Sequence, residues 1–177
     1  SSFLSASSII LATGATSKNL PFVSADGELV WDYKTAMTPN ELPKSLIIIG
    51  SGAIGVEFAS FYSDLGSEVT IIEAQDTILP NEDKEIADFI LKSFSARNIK
   101  ILTNAQLTEV TKNKIINCKI NLNGQSMDLS ADKMLLAVGV KANTEGLGLE
   151  NFDIKLKNNI VLNNDLMETS EKNIYAI

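Results

Sequence analysis

Gly50-Ser51-Gly52-Ala53-Ile54-Gly55 forms a G-x-G-x-x-G hexamer. Alone such a hexamer says little, but here the apolar run Leu46-Ile47-Ile48-Ile49 leads directly into it and a helical pattern follows. In that setting each glycine has a steric task. Gly50 permits the tight turn out of a strand, Gly52 lets the backbone approach a pyrophosphate, and Gly55 lets helix and strand pack together. The start of the helix offers unpaired N–H groups and the positive end of its dipole to phosphate oxygens. Glu73 stands 18 residues past Gly55, at the end of the next apolar run. A carboxylate there can accept both hydroxyls of an adenine ribose. These residues read as a dinucleotide-binding turn. Glu57, in the first turn of the helix, reads as a dipole-stabilising carboxylate.

The elements that must position this turn follow from periodicity. Ser8 to Ala12 reads as a strand stopping at Thr13-Gly14, and residues 16–44 as a polar linker with a short helix near Asp32–Met37. Leu46 to Ile49 reads as a strand buried on both faces. Phe58, Phe61, Tyr62 and Leu65 form a helical stripe that Gly66 ends. Val69 to Ile72 is a second strand. Asp83 to Ala96 is a second helix with Ile86, Phe89, Ile90 and Phe94 inward, and Ile99 to Leu102 is a third strand. The alternation predicts an α/β fold with a Rossmann-like parallel sheet and right-handed crossovers. Residues 106–130 alternate without a helix and carry Asn123-Gly124 as a hairpin turn, so a three-stranded antiparallel meander is expected. Met134 to Val138 returns as a buried strand ending at Gly139. Cys118 shares a strand face with Ile116 and Ile120 and reads as packing; Trp31 reads as an anchoring contact.

Composition narrows the chemistry. The 177 residues are 45% hydrophobic and 21% charged, a globular profile with a net charge of −7. The acidic balance argues against nucleic acid or an anionic membrane as partner. With no His, Ser-His-Asp and Cys-His nucleophile systems and His-bound zinc are excluded. A single Cys permits neither an internal disulfide nor a dithiol pair, and points to a reduced, cytoplasmic setting. The opening SSFLSASSIILATGA imitates a short secretory signal but has no Lys or Arg before its apolar part, so a strand entering a turn is the better reading.

The stretch LPKSLIIIGSGAIGVEFASFYSDLGSEVTIIEAQDTILPNEDKEI resembles the NAD-binding domain of the dihydrolipoyl dehydrogenases, a branch of the flavoprotein disulfide reductases. Ala12-Thr13-Gly14, the GxGxxGxE at 50–57, the LGSEVTIIE at 65–73, the ILPNED at 78–83 and Ala137-Val138-Gly139 stand in that family's order and spacing. The resemblance implies that Gly50, Ser51, Gly52, Ala53, Ile54, Gly55, Val56 and Glu57 contact the pyrophosphate and nicotinamide ribose of NAD. It puts Glu73 on the adenine ribose, Leu107 beside the adenine and Gly139 against the nicotinamide half. Thr13, Gly14 and Ala15 match a turn that touches FAD. One departure stands after Gly139, where the family's Arg-x-Pro-Asn is replaced by Val140-Lys141-Ala142-Asn143.

By the same resemblance, residues 1–40 are the tail of an FAD domain plus a linker, 41–145 an NAD-binding domain, and 146–177 a truncated return to the FAD domain. The chain is expected to lack the redox cysteine pair and the acid/base pair of such enzymes. It is therefore expected to hold no catalytic residue and no metal, and to be inactive alone. The implied parent is a homodimer that oxidises dihydrolipoyl groups on the acyltransferase of a 2-oxo acid dehydrogenase complex, passing electrons through a disulfide and FAD to NAD+. Competing readings are a glutathione-reductase-, mercuric-reductase- or NADH-oxidase-like enzyme, or a non-catalytic NAD sensor.

Overall fold

The structure, a computed structural model, describes residues 4–177; the first three residues of the signal-like opening lie outside it. In chain order the elements begin with β1 (Ile9–Leu11), β2 (Ala15–Ser17), β3 (Val30–Trp31), α1 (Tyr33–Met37), β4 (Ser45–Ile49), α2 (Ala53–Asp64) and β5 (Glu68–Ile72). There follow α3 (Lys84–Ala96), β6 (Lys100–Leu102), β7 (Ala105–Lys112), β8 (Ile116–Leu122), β9 (Gln125–Ala131) and β10 (Lys133–Leu136). The last strands are β11 (Val140–Ala142), β12 (Leu156–Lys157), β13 (Ile160–Val161) and β14 (Ile174–Ala176). Two compact units result: Ser17–Gly139, and the residues up to Thr16 together with Val140–Ile177.

The larger unit is a three-layer α/β fold. Its central sheet has the order β3-β10-β4-β5-β6, with every pairing parallel. Successive side chains of β4 point to opposite faces and both faces are covered, which is why Leu46 to Ile49 are apolar without a break. Leu46 and Ile48 pack with Ala59 and Tyr62 of α2, and with Phe94 of α3. Ile47 and Ile49 pack on the meander through Ile116, Cys118 and Ile120. The meander β7-β8-β9 is antiparallel, and Asn123 (φ 51°) and Gly124 (φ 87°) make its second turn, the left-handed pair a type I′ hairpin needs.

Three sequence expectations need correction. The stretch read as a linker contains β3, whose Val30 and Trp31 are buried and pair with Met134 and Leu135; a two-residue strand is too short to show a period. On α2, Phe61 and Leu65 are about half exposed, while Gly55, Ala59 and Tyr62 are buried. On α3, Ile86 and Phe89 face solvent, while Ala87 and Phe94 are buried. On both helices the buried face combines small residues with one large ring, so the large apolar residues alone do not mark it. The short helix does appear at Tyr33–Met37, capped by Asp32, whose Oδ1 accepts from the Thr35 N–H at 2.9 Å.

Cys118 lies in the sheet–meander core, 3% exposed. Burial, and then the nearby Asp128 carboxylate, push its thiol up to about 11. The native chain should therefore leave Cys118 unreacted with an aromatic disulfide reagent at pH 8, and unfolding in guanidinium should release one thiol; rapid labelling of the native chain would contradict this core. Because the folded pKa is raised, the stability linked to this thiol is complete below about pH 9 and is lost as pH rises from there towards 11.

The smaller unit holds three two-stranded sheets: parallel β1-β14, β2 with β11, and antiparallel β12-β13. Here the Val140-Lys141-Ala142-Asn143 departure acquires a structure. Asn143 donates its backbone N–H to the Gly14 carbonyl at 3.0 Å and its side-chain N–H to the Thr13 carbonyl at 3.0 Å. Its Oδ1 accepts from the Thr16 hydroxyl at 3.2 Å, so Asn143 ties down the Thr13-Gly14-Ala15 turn. Among the described residues no helix is long and apolar enough to cross a membrane.

Candidate functional site

The site lies where β4 and β5 end side by side. Their register pairs Ile49 with Ile72, so Gly50 follows one strand as Glu73 follows the other, and the Gly50 N–H bonds the Ile72 carbonyl at 2.9 Å. Gly50 leaves the strand at φ +97°, and a Cβ there would stand 2.5 Å from the carbonyl oxygen of Ala137, the residue after β10. At Gly55 a Cβ would stand 2.1 Å from the Gly50 carbonyl oxygen. The turn can close against the helix only because both side chains are hydrogen.

Gly52 differs. It is the N-cap of α2 at φ −66°, and a Cβ built on it meets nothing within 4 Å. It faces open space. The first bond of the helix is Val56 N–H to the Gly52 carbonyl at 3.1 Å, so the N–H groups of Ala53, Ile54 and Gly55 are the unpaired donors every helix start leaves.

That open space is a cleft of about 690 Å³, within the size range of small-molecule sites. It is lined on one side by residues 49–54 and on another by 72–75, with 20–22, 80–81, 105–107 and 137–139 completing it. The cleft thus brings together Gly50, Ser51, Gly52, Ala53, Ile54, Glu73, Leu107 and Gly139. It does not take in Gly55, Val56 or Glu57 as lining: Gly55 is buried against the strand, and Val56 packs towards Ile78 and Leu79. Thr13, Gly14 and Ala15 belong to the smaller unit, where Thr13 and Gly14 line a separate cavity of about 210 Å³. Gln75, Phe22 and Asn81 also line the main cleft; Asn81 belongs to the ILPNED stretch at 78–83, while the sequence reading gives Gln75 and Phe22 no site role.

Glu73 is the only charged residue lining the cleft among the described residues, and it is 7% exposed. Its Oε2 accepts from the Ser51 N–H at 2.9 Å and from the Ser51 hydroxyl at 2.6 Å. Its Oε1 accepts from the Gln75 N–H at 2.9 Å. A carboxylate offers roughly four lone-pair positions. Three are in use, so the diol-binding role read from the sequence meets a carboxylate that is already anchored. Ser51 is wholly buried, and its carbonyl accepts the Leu79 N–H at 3.0 Å, so every polar group of this residue is engaged. The latch escapes sequence reading because Ser51 fills an "x" of the hexamer. Only the strand register shows that it abuts Glu73.

The arrangement offers an anion a backbone cradle and a helix dipole, with no Lys or Arg lining it among the described residues. Beside it stands one fixed carboxylate suited to hydroxyl donors.

Comparison with known proteins agrees with this geometry. Residues 2–177 match the family described as Pyridine nucleotide-disulphide oxidoreductase. The chain is 44% identical over 171 residues to the dihydrolipoyl dehydrogenase of Rhizobium etli, covering 96% of this chain and 36% of that protein. It is 40% identical over 172 residues to a dihydrolipoyl dehydrogenase of Bacillus subtilis, with 96% and 36% covered. Among solved structures, LpdA from Mycobacterium tuberculosis superposes with a TM-score of 0.85 at 32% identity, covering 97% of this chain and 37% of that one. The HOCl-induced flavoprotein disulfide reductase RclA from Escherichia coli, as its Cu(II) complex, gives 0.82 at 31%, with 97% and 39% covered. The chain spans a little over a third of the length of these relatives. The match along its whole length, on the fold and glycine turn described above, places the chain in the pyridine nucleotide-disulphide oxidoreductase family.

Proposed function

We propose that the unit Ser17–Gly139 is the NAD-binding part of a dihydrolipoyl dehydrogenase, and that the smaller unit contributes to its FAD domain. The observation that carries the reading is Gly52, open to a cleft at a helix N-terminus whose first N–H groups have no partner. A side chain there would occupy the space that a pyrophosphate needs. Ala53, Ile54 and Gly55 bind the diphosphate through backbone N–H groups, Glu73 takes a ribose hydroxyl, Leu107 borders the adenine, and Gly139 and Ile54 border the nicotinamide half. Thr13, Gly14 and Ala15 form the turn that meets FAD. When bound, NAD+ supplies the hydride acceptor for the reduced flavin. This chain's part is to hold and orient it through the backbone turn and Glu73 that line the cleft. The whole enzyme would act on dihydrolipoyl groups carried by the acyltransferase of a 2-oxo acid dehydrogenase complex, as a cytoplasmic homodimer.

Calorimetric titration tests the binding role. The wild-type chain should bind NAD+, and Gly52→Val should weaken it at least ~10-fold by filling the cradle while moving the melting midpoint little, because a Cβ there has no protein atom within 4 Å. Unchanged affinity in Gly52→Val would remove the pyrophosphate from this turn.

A further inference from the structure

Ser51 borders the cleft but is wholly buried, and its hydroxyl makes the shortest of the contacts to Glu73. We propose that Ser51 is a positioning residue for coenzyme choice, clamping the Glu73 carboxylate so that the site accepts a ribose diol and rejects a ribose 2′-phosphate. This deepens the NAD-binding reading and rests on it.

The argument begins with the two donors that Ser51 places on one oxygen. Its N–H and hydroxyl meet Glu73 Oε2 at 2.9 and 2.6 Å, while the Gln75 N–H holds Oε1 at 2.9 Å. The carboxylate is therefore held at both ends. For Glu73 to swing away from an incoming phosphate, all three bonds must break inside a site where the side chain is 7% exposed. Hydrogen bonds to an ionised acceptor are about twice as strong as neutral ones. One acceptor position remains on Oε1, enough for one ribose hydroxyl. A 2′-phosphate brings only acceptor oxygens and negative charge to that position, and the lining residues include no Lys or Arg to offset it.

Discrimination by repulsion requires a carboxylate that cannot retreat. The backbone N–H of Ser51 would remain in any variant, so the hydroxyl is the part of the clamp that side-chain chemistry controls. Ser51 itself is anchored: the Leu79 N–H bonds its carbonyl at 3.0 Å and the loop is fixed at Gly50.

The test is titration of NAD+ and NADP+ against the wild-type chain, Ser51→Ala, Glu73→Gln and the double variant, with melting midpoints alongside. Ser51→Ala removes one oxygen and creates no clash. It should lower the ratio of NADP+ to NAD+ dissociation constants by about tenfold, the scale of one charge-assisted hydrogen bond. Placed on Glu73→Gln, the same change should leave the ratio where Glu73→Gln alone puts it, because the two act through one contact. Equal weakening of both coenzymes by Ser51→Ala, whatever the midpoint does, would make Ser51 a packing residue and overturn the proposal, as would an unchanged or larger ratio. If the wild type bound neither coenzyme, the binding assignment itself would fail; if it bound NAD+ and only the ratio failed to move, the assignment would stand and the clamp would fall.

Discussion

Gly55→Ala is expected to destabilise the chain strongly. The added carbon would stand 2.1 Å from the Gly50 carbonyl oxygen and 3.0 Å from its carbonyl carbon. Both are backbone atoms of a turn already held by the Gly50 N–H to Ile72 bond, so neither can move aside cheaply. The helix must lift from the strand instead, carrying with it the contacts of Ala59 and Tyr62 with Leu46 and Ile48. Overpacking a closed interface typically costs about 1–3 kcal/mol and sometimes more. The top of that range, ~3 kcal/mol, is the expected loss here, measured by urea unfolding followed by circular dichroism. A loss below ~1 kcal/mol would mean that α2 and β4 do not approach as closely as described. Gly52→Ala is the matched control, since it adds the same methyl three residues earlier, where a Cβ has no protein atom within 4 Å.

The second large effect is expected from Glu73→Ala, and it has two parts. Removing the carboxylate leaves the Ser51 N–H, the Ser51 hydroxyl and the Gln75 N–H without their acceptor. Each buried donor left unpaired costs about 1–3 kcal/mol, less where water can enter from the cleft, so a stability loss on the order of 3 kcal/mol is expected. The other part concerns the coenzymes. A charge-assisted bond to a ribose hydroxyl contributes about 1.5–3 kcal/mol, so NAD+ should bind more weakly by roughly ten- to a hundredfold. Repulsion between Glu73 and a 2′-phosphate at ~4 Å is on the order of 1 kcal/mol in water and ~4 at an effective dielectric near 20, so NADP+ should gain while NAD+ loses. Titrating both coenzymes against wild type and variant measures the gap. Equal affinities in the wild type would take Glu73 off the ribose.

The sheet was legible because buried parallel strands are written as continuous apolar runs: Leu46 to Ile49 and Val69 to Ile72 needed no periodicity. The meander was legible from alternation and one Asn-Gly turn. The helix faces were legible only in part. Counting large apolar residues selects Tyr62 and Phe94, which are buried, but also Phe61, Leu65, Ile86 and Phe89, which are exposed, and it passes over Gly55, Ala59 and Ala87, which are buried. Small residues carry little hydrophobic signal, so a count of large ones misses them. The strand Val30–Trp31 was hidden for a different reason: two residues have no period, and only pairing with Met134 and Leu135 makes them a strand.

In the site, the glycines could be read one by one because each answers to a local steric demand. The Glu73 position was legible as the end of a strand, but its bonding was not. A sequence places an acid at a strand end without showing what already holds it, and the register that brings Ser51 within 2.6 Å of Oε2 is a property of two strands together. Gln75 and Phe22 reach the cleft from loops whose sequences carry no pattern.

The central claim is that the open turn at Gly52 is where NAD+ binds, and the most direct test is a ¹⁵N–¹H correlation spectrum of the chain recorded during titration with NAD+. The account predicts the largest shifts at the amides of Gly52, Ala53, Ile54 and Gly55, with a second group at Gln75 and Leu107, all moving with one dissociation constant. Saturating NAD+ that left the amides of residues 52–55 unmoved, or that shifted only residues outside the cleft, would contradict it.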